Sequence, residues 1–253
     1  MKLLVWGGNG YIGSHTVLGL LVNGHDVVIA DDLAGRYRNT LPPNAVFYKG
    51  DCRDKRSLSA FLKKEKVDAV IYCATLFPIE QRDANPLKYY ENHIYDIKLL
   101  LNVMFENHVD KIIFSAVVSA DAEADDIAVP ENNVICSENL YCKTKLAMEK
   151  MIALSCQIYK LHYIILRLLN FHGEKIDSTI EYMRTAEKQL YETAEKNCRL
   201  DSMYRTGYDG TDRDTGSEEL QVNDIGRIHI MAAEYLMNGG RNNIIDFKTA
   251  QNI

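Results

Sequence analysis

A doubly wound α/β fold on a parallel sheet is the architecture this sequence predicts, and three observations predict it. Short apolar runs alternate with segments of helical periodicity through the first two-thirds of the chain, the pattern left by crossover helices between parallel strands. The first run, Leu3-Leu4-Val5-Trp6, breaks into Gly7, Gly10 and Gly13 before a helical pattern resumes. The second, Asp26-Val27-Val28-Ile29-Ala30, delivers Asp31 and Asp32 to a strand end one strand–helix–strand unit later.

The elements follow in order. A strand at 2–6 ends where the glycines begin, and a helix fits 12–22. A strand at 26–31 carries the second apolar run and one at 45–48 follows it. The helix at 54–64 puts Leu58, Phe61 and Leu62 on one face and Lys55, Lys63 and Lys64 on others, a solvated side and a packed side. The apolar run at 67–73 reads as a fourth strand, with Cys73 inside it. A helix at 86–106, a strand at 110–115, a helix at 139–159 and a strand at 162–168 complete the alternation. After Arg167 the character shifts. Residues 178–197 read as a polar helix with an apolar stripe, and Met203–Glu219 as a long loop or lid. A last helix near 223–237 and a short strand at Ile244–Phe247 follow. The expected division is a dinucleotide-binding domain at 1–168 and a small lobe at 169–253, part of which can return to the sheet.

The glycine spacing has a physical meaning. Gly7 permits a tight turn after the strand, Gly10 has no side chain to hold a pyrophosphate off the backbone, and Gly13 lets the helix lie close on the sheet. The helix N-terminus then offers N–H groups and a partial positive charge to phosphates. A carboxylate at the second strand end is where an adenosine ribose presents its hydroxyls, so Asp31 favours NAD and repels the 2′-phosphate of NADP. Arg36 and Arg38 follow closely and soften that preference.

Composition sets the outer bounds. The chain has 253 residues, 47% hydrophobic and 25% charged, with a net charge of −6. That is ample for a large α/β domain with a small annex. The acidic balance argues against nucleic acid or an anionic membrane as the main partner, since either would demand a basic patch. Six cysteines (Cys52, Cys73, Cys136, Cys142, Cys156, Cys198) lack CxxC spacing and disulfide-scaffold density, and the seven histidines make no metal pair. With no leader-like or membrane-spanning run at the N-terminus, a cytoplasmic location with reduced thiols is expected.

Two residues stand out for chemistry. Tyr141 and Lys145 are four apart at the start of a helix, so they share one face. A phenol titrates near pH ~10, too high for a base at neutral pH unless a neighbouring ammonium and a cationic nicotinamide stabilise the phenolate. No metal is implied.

At this point the chain resembles the extended short-chain dehydrogenase/reductase family, in its NAD-dependent epimerase/dehydratase branch. The resemblance runs through Gly7-Gly8-Asn9-Gly10-Tyr11-Ile12-Gly13-Ser14-His15-Thr16, Asn23-Gly24-His25-Asp26-Val27, Asp31-Asp32-Leu33, Pro86-Leu87-Lys88-Tyr89-Tyr90-Glu91-Asn92, Tyr141-x-x-x-Lys145 and Leu166-Arg167-Leu168-Leu169-Asn170. It covers about the first 170 residues and continues weakly through Val222-Asn223-Asp224-Ile225. It implies a Rossmann-type fold with a truncated C-terminal substrate lobe. The glycines, with Tyr11 and Ile12, would hold the NAD pyrophosphate, and Asp31 with Asp32 the adenosine ribose. Asp51 and Cys52 would sit beside the adenine, and Cys73 and Ala74 would line the cofactor groove. Lys145 would hold the nicotinamide ribose, Tyr141 would act as acid and base on a nucleotide sugar, and Asn170 would face the sugar's diphosphate. A homodimer through the helices at 86–106 and 139–159 is also implied, although their apolar stripes could equally be core.

The departures are as informative. Val117 stands where the family places a hydroxyl residue against the reacting oxygen. Ser119 lies two residues on, about 6–7 Å along an extended strand, and replaces that hydroxyl only if the chain bends; otherwise Ser115 and Ser119 are small residues near a strand end. Phe77 replaces a lysine, His93 an asparagine, and Ser217–Val222 the arginine-bearing segment that would meet a diphosphate, leaving Arg205 or Arg213 as substitutes. Three functions fit: a nucleotide-sugar epimerase or dehydratase-like enzyme, an inactive or weakly active NAD-binding sensor or partner subunit, and an NAD-dependent reductase of a smaller substrate.

Overall fold

The computed structural model describes residues 1–31, 42, 44–48, 53–74, 85–118, 140–169 and 222–248. In chain order these form β1 (Lys2–Trp6), α1 (Tyr11–Val22), β2 (Asp26–Ala30), β3 (Val46–Tyr48), α2 (Lys55–Glu65), β4 (Ala69–Tyr72), α3 (Pro86–Glu106), β5 (Lys111–Val118), α4 (Leu140–Tyr159), β6 (His162–Leu169), α5 (Val222–Met237) and β7 (Asn243–Lys248). The strands make one seven-stranded sheet in the order β3-β2-β1-β4-β5-β6-β7. Every pairing is parallel. This is the doubly wound Rossmann-type sheet the sequence predicts.

The strands read as continuous apolar runs because both of their faces are covered. Alternate residues divide between two cores. Leu4, Trp6, Val70, Tyr72, Ile112 and Phe114 pack toward Leu58 of α2, Leu100 of α3 and Ile152 of α4. Leu3, Val5, Ile29, Ile71, Ile113 and Ile164 face the side where α1 contributes Val17 and Leu20 and α5 contributes Ile230 and Ala233. Truncating a fully buried Leu or Ile here to Ala costs about 2–5 kcal/mol. Helices α1 and α5 approach closely through glycine, for a Cβ on Gly19 would stand 2.9 Å from the Gly226 Cα. Local signals set the helix starts: Asp54 accepts from the Arg56 N–H at the head of α2, and Asn85 from the Lys88 N–H at the head of α3.

One difference from the sequence reading bears on function. β5 does not stop near residue 115 but runs to Val118, because Ser115–Val118 find a full ladder on β6, from Ser115 opposite Leu166 to Val118 opposite Leu169. In the 169–253 segment, α5 packs on the main sheet beside α1 and β7 joins that sheet, paired to β6 from Asn243 to Lys248. The helix expected at 178–197 and the loop at 203–219 lie outside the described residues. Among the described residues no helix is long and apolar enough to cross a membrane.

Candidate functional site

Strand order reverses at β1, with β2 on one side and β4 on the other. Open α/β sheets hold ligands in the crevice beyond the carboxyl ends of their strands at such a point. The glycine loop sits there. Gly7 has φ +81, and a Cβ on it would stand 2.6 Å from the Ala74 Cα. The ends of β1 and β4 therefore meet backbone to backbone. A Cβ on Gly13 would lie 2.0 Å from the Gly7 carbonyl oxygen, which seats α1 directly on the loop.

Gly10 differs from both. Its backbone is extended (φ −77, ψ 174), it caps α1 with no side-chain hydrogen bond, and the first turn of α1 holds no acid. A Cβ there would meet only the Gly7 carbonyl oxygen, at 3.3 Å. Space is therefore left beside the peptide units that precede the positive end of α1. Asp31 closes the far side, its Oδ2 accepting the Asn9 N–H at 2.9 Å. That bond ties the end of β2 to the loop and aims a carboxylate at the crevice. A backbone cradle that a side chain would fill, a helix N-terminus and a carboxylate one strand away fit a dinucleotide.

The other wall is made of side chains. Lys145, on α4, is only 2% exposed. Its Nζ donates to the Ala74 carbonyl at 2.9 Å and stands 5.6 Å from the Tyr72 ring centroid and 5.3 Å from that of Phe114. Burial pulls Lys145 down to about 8, with Cys73 and Glu149 pulling partly back. Cys73, partly buried beside it, is a free thiol pushed up to about 12 by burial, so it is neutral. Its backbone N–H donates to the Trp6 carbonyl at 2.8 Å, locking β4 to β1 at the crevice.

His93 of α3 is fully buried. Its Nδ1 lies 3.0 Å from the Tyr89 carbonyl, and burial, helped by the Lys145 charge, lowers it to about 4. The ring is neutral at physiological pH.

The structure thus brings Gly7, Gly10, Gly13, Asp31, Cys73, Ala74 and Lys145 to one end of the sheet. Ile12 lies in the first turn of α1, as does the backbone of Tyr11. The backbone of Tyr141 lies one turn before Lys145 on α4. Asp32, Asp51, Cys52, Phe77, Ser119 and Asn170 lie outside the described residues. Position 117 is in the regular ladder of β5, opposite Leu168. Ser115 Oγ is buried with no hydrogen-bond partner among the described residues.

Several residues of the site were not singled out for it by the sequence. Glu149 continues the face of Tyr141 and Lys145 at the same spacing and is 3% exposed. Its carboxylate is taken by Arg167 of β6, whose Nη2 donates at 2.7 Å and Nε at 3.1 Å. Arg167 Nη1 also reaches Asp246 of β7, at 3.5 Å. The helical period could have found Glu149. Nothing local in the sequence pairs Tyr72 with Phe114, since their strands are joined by a long crossover. Among the described residues no His, Cys, Asp and Glu group is arranged to hold a metal ion.

A glycine-cradled crevice flanked by a Tyr-x-x-x-Lys helix defines a dinucleotide-dependent protein of the short-chain dehydrogenase/reductase type. The chain belongs to the NAD dependent epimerase/dehydratase family, whose model matches residues 3–245. It is 31% identical to the UDP-glucose 4-epimerase of Lactobacillus helveticus over 99% of this chain and 77% of the relative. To that of Halalkalibacterium halodurans it is 33% identical over 95% of this chain and 73% of the relative. Its fold matches the UDP-glucose 4-epimerase of Brucella ovis in complex with NAD, at TM-score 0.73 and 26% identity, over 99% of this chain and 78% of that one.

Proposed function

We propose that the chain binds NAD and epimerises a nucleotide sugar in the manner of a UDP-glucose 4-epimerase. The observation that carries this reading is Lys145, a buried ammonium anchored to Ala74 at the mouth of the glycine loop and one helical turn after Tyr141. In this reading the peptide groups around Gly10 hold the pyrophosphate, with Asp31 and Asp32 at the adenosine ribose and Asp51 and Cys52 beside the adenine. NAD supplies the acceptor that takes a hydride from the sugar and returns it. The residues of the chain move the proton and hold the parts in place. The Tyr141 hydroxyl, its phenolate favoured by the Lys145 charge, takes the proton from the sugar hydroxyl and later gives it back. Lys145 also orients the nicotinamide ribose, and Asn170 the diphosphate. The residues of 169–221 would contribute the substrate side, and Ser119 would approach the reacting oxygen where the family's hydroxyl is replaced by Val117.

One observation favours a second reading, an NAD-binding protein with little turnover: β5 continues regularly through position 117, so the family's hydroxyl is absent from an ordinary strand. The test is to denature the purified protein, quantify released NAD, and assay UDP-galactose conversion by wild type and Tyr141→Phe. Released NAD with turnover that Tyr141→Phe abolishes supports the epimerase. Released NAD without Tyr141-dependent turnover on any nucleotide sugar leaves the binding protein, and no retained NAD with oxidation of an added alcohol by free cofactor indicates a reductase.

A homodimer is part of the proposal. The outer faces of α3 and α4 expose Leu87, Tyr95, Phe105, Leu154 and Ile158, and a dimer mass in light scattering that Ile158→Asp reduces to monomer would support it. A cytoplasmic setting accords with the free thiols of Cys73 and Cys156.

A further inference from the structure

The crevice has a further rim on the β3 side. Helices α2 and α3 each follow a strand whose carboxyl end opens on the crevice, so both helices begin there. Arg53 stands immediately before Asp54, the N-cap of α2. Its Nε donates to Oδ1 of Asp96 on α3 at 3.1 Å. The Asp96 side chain is 4% exposed and that of Arg53 37%, so a guanidinium reaches in from the rim to a carboxylate buried on α3. The buried face of α3 changes character for it: Tyr89, His93 and Asp96 occupy the half nearer the crevice, and Ile97, Leu100 and Met104 continue the face away from it. The upstream flank is held as well. Tyr48, the last residue of β3, lies opposite Ala30 of β2 and packs on Phe61 of α2 with ring centroids 4.4 Å apart. Residues 49–52 join these two anchors, and Asp51 and Cys52 are among them.

We propose that Arg53 and Asp96 are positioning residues for the cofactor: their ion pair braces the β3–α2 connection on α3 and so presets the adenine side of the crevice. This rests on the reading that sets Asp51 and Cys52 beside the adenine. Cys52 is joined to Arg53 by a planar peptide unit, so holding Arg53 limits how far its neighbour can move. The planar guanidinium also donates along fixed directions, which apolar packing between α2 and α3 does not supply. A buried ion pair gains little in stability over two apolar residues of similar volume, so stability alone is a poor reason for one at this rim. Preorganisation is a better one, because a wall ordered during folding spares the ligand that ordering cost on association. Helix α3 carries the brace to the other end of the crevice. His93, one turn nearer the crevice than Asp96, feels the charges of both Lys145 and Arg53.

The test separates the brace from stability. Arg53→Met combined with Asp96→Leu removes both charges together and fills their place with apolar side chains, so the urea midpoint should stay near wild type. Affinities of the full chain are then read by calorimetry for NAD and ADP, and by NMR titration for nicotinamide mononucleotide, which lacks the adenine. The double variant should bind NAD and ADP about tenfold more weakly, or about 1.4 kcal/mol, as ordering of the wall moves from folding to binding. Its affinity for nicotinamide mononucleotide should not change. Asp96→Asn keeps the shape and loses the charge. It should show a smaller loss with the same split between the two halves, which keeps the test intact if the double variant does not fold. Wild-type affinity for ADP in a folded variant, or an equal loss for ADP and nicotinamide mononucleotide, overturns the brace. Failure of the underlying reading looks different: a wild-type chain that binds neither NAD nor ADP removes the cofactor site and the brace with it.

Discussion

The two walls of the crevice are built from different material. On the β1–α1 side the surfaces are backbone: Gly7 against Ala74, Gly13 against Gly7, and the open peptide edge at Gly10. On the β4–β5–α4 side they are side chains: Lys145 on Tyr72 and Phe114, and Glu149 on Arg167. A backbone wall admits no substitute where two main chains touch, because nothing can rotate away. A side-chain wall tolerates exchange if the exchanged groups still satisfy one another.

The sharpest break of that contrast is Gly13→Ala. Its Cβ would stand 2.0 Å from one backbone atom of Gly7 and 2.8 Å from another, with no flexible side chain to yield. Destabilisation above about 4 kcal/mol, in the range reserved for severe backbone or core conflicts, is expected as loss of the urea transition or of soluble protein. A native-like midpoint would mean that α1 is not seated on the loop as described.

Arg167→Met probes the other wall. Leaving Glu149 buried without its guanidinium should cost about 3–5 kcal/mol. Adding Glu149→Leu should recover most of it, since removing both charges removes the unpaired one. Equal stability losses in the single and double variants would show that this wall is as unforgiving as the glycine one.

Acid should weaken both faces of the sheet together. His15 and His229 lie on the α1 and α5 side and His93 on the other, all buried and each lowered by burial to about 4. The unfolded chain binds these protons first, so stability is lost as pH falls from about 6.5 toward 4. The upper bound is about 3 kcal/mol per histidine. Urea midpoints across that window check it, and His93→Gln should flatten the slope by its share.

The glycine wall was legible in the sequence because its constraints are local: Gly7, Gly10 and Gly13 act on one another within a single turn, and Asp31 follows by one repeat of the fold. The strand and helix positions were legible for the same reason, as runs and periods. Lys145 was found through its spacing from Tyr141, but its seat was not. Tyr72 and Phe114 meet only through the β4–β5 register, and Arg167 reaches Glu149 from the next strand. The predicted strand at 110–115 falls short of the end of β5 for a related reason: Val117 and Val118 are strand residues because β6 pairs with them.

The smallest effect on the fold should come from Gly10→Ala, and it separates fold from function most cleanly. The backbone at Gly10 is extended, a conformation alanine adopts freely. The added methyl meets only the Gly7 carbonyl oxygen, at 3.3 Å, a contact that asks a few tenths of an ångström of the loop, against the 2.0 Å conflict at Gly13. Alanine is a clearly poorer N-cap than glycine, by about 1 kcal/mol, but it also lowers the entropy of the unfolded chain, which offsets about 0.4–1 kcal/mol. Stability should therefore stay within about 1 kcal/mol of wild type by urea denaturation. The same methyl occupies the surface on which a pyrophosphate would rest, so calorimetry should show NAD affinity reduced at least ~10-fold, which corresponds to ~1.4 kcal/mol. An unchanged affinity in a folded Gly10→Ala protein would move the phosphate site off the loop and leave the backbone wall a purely structural device.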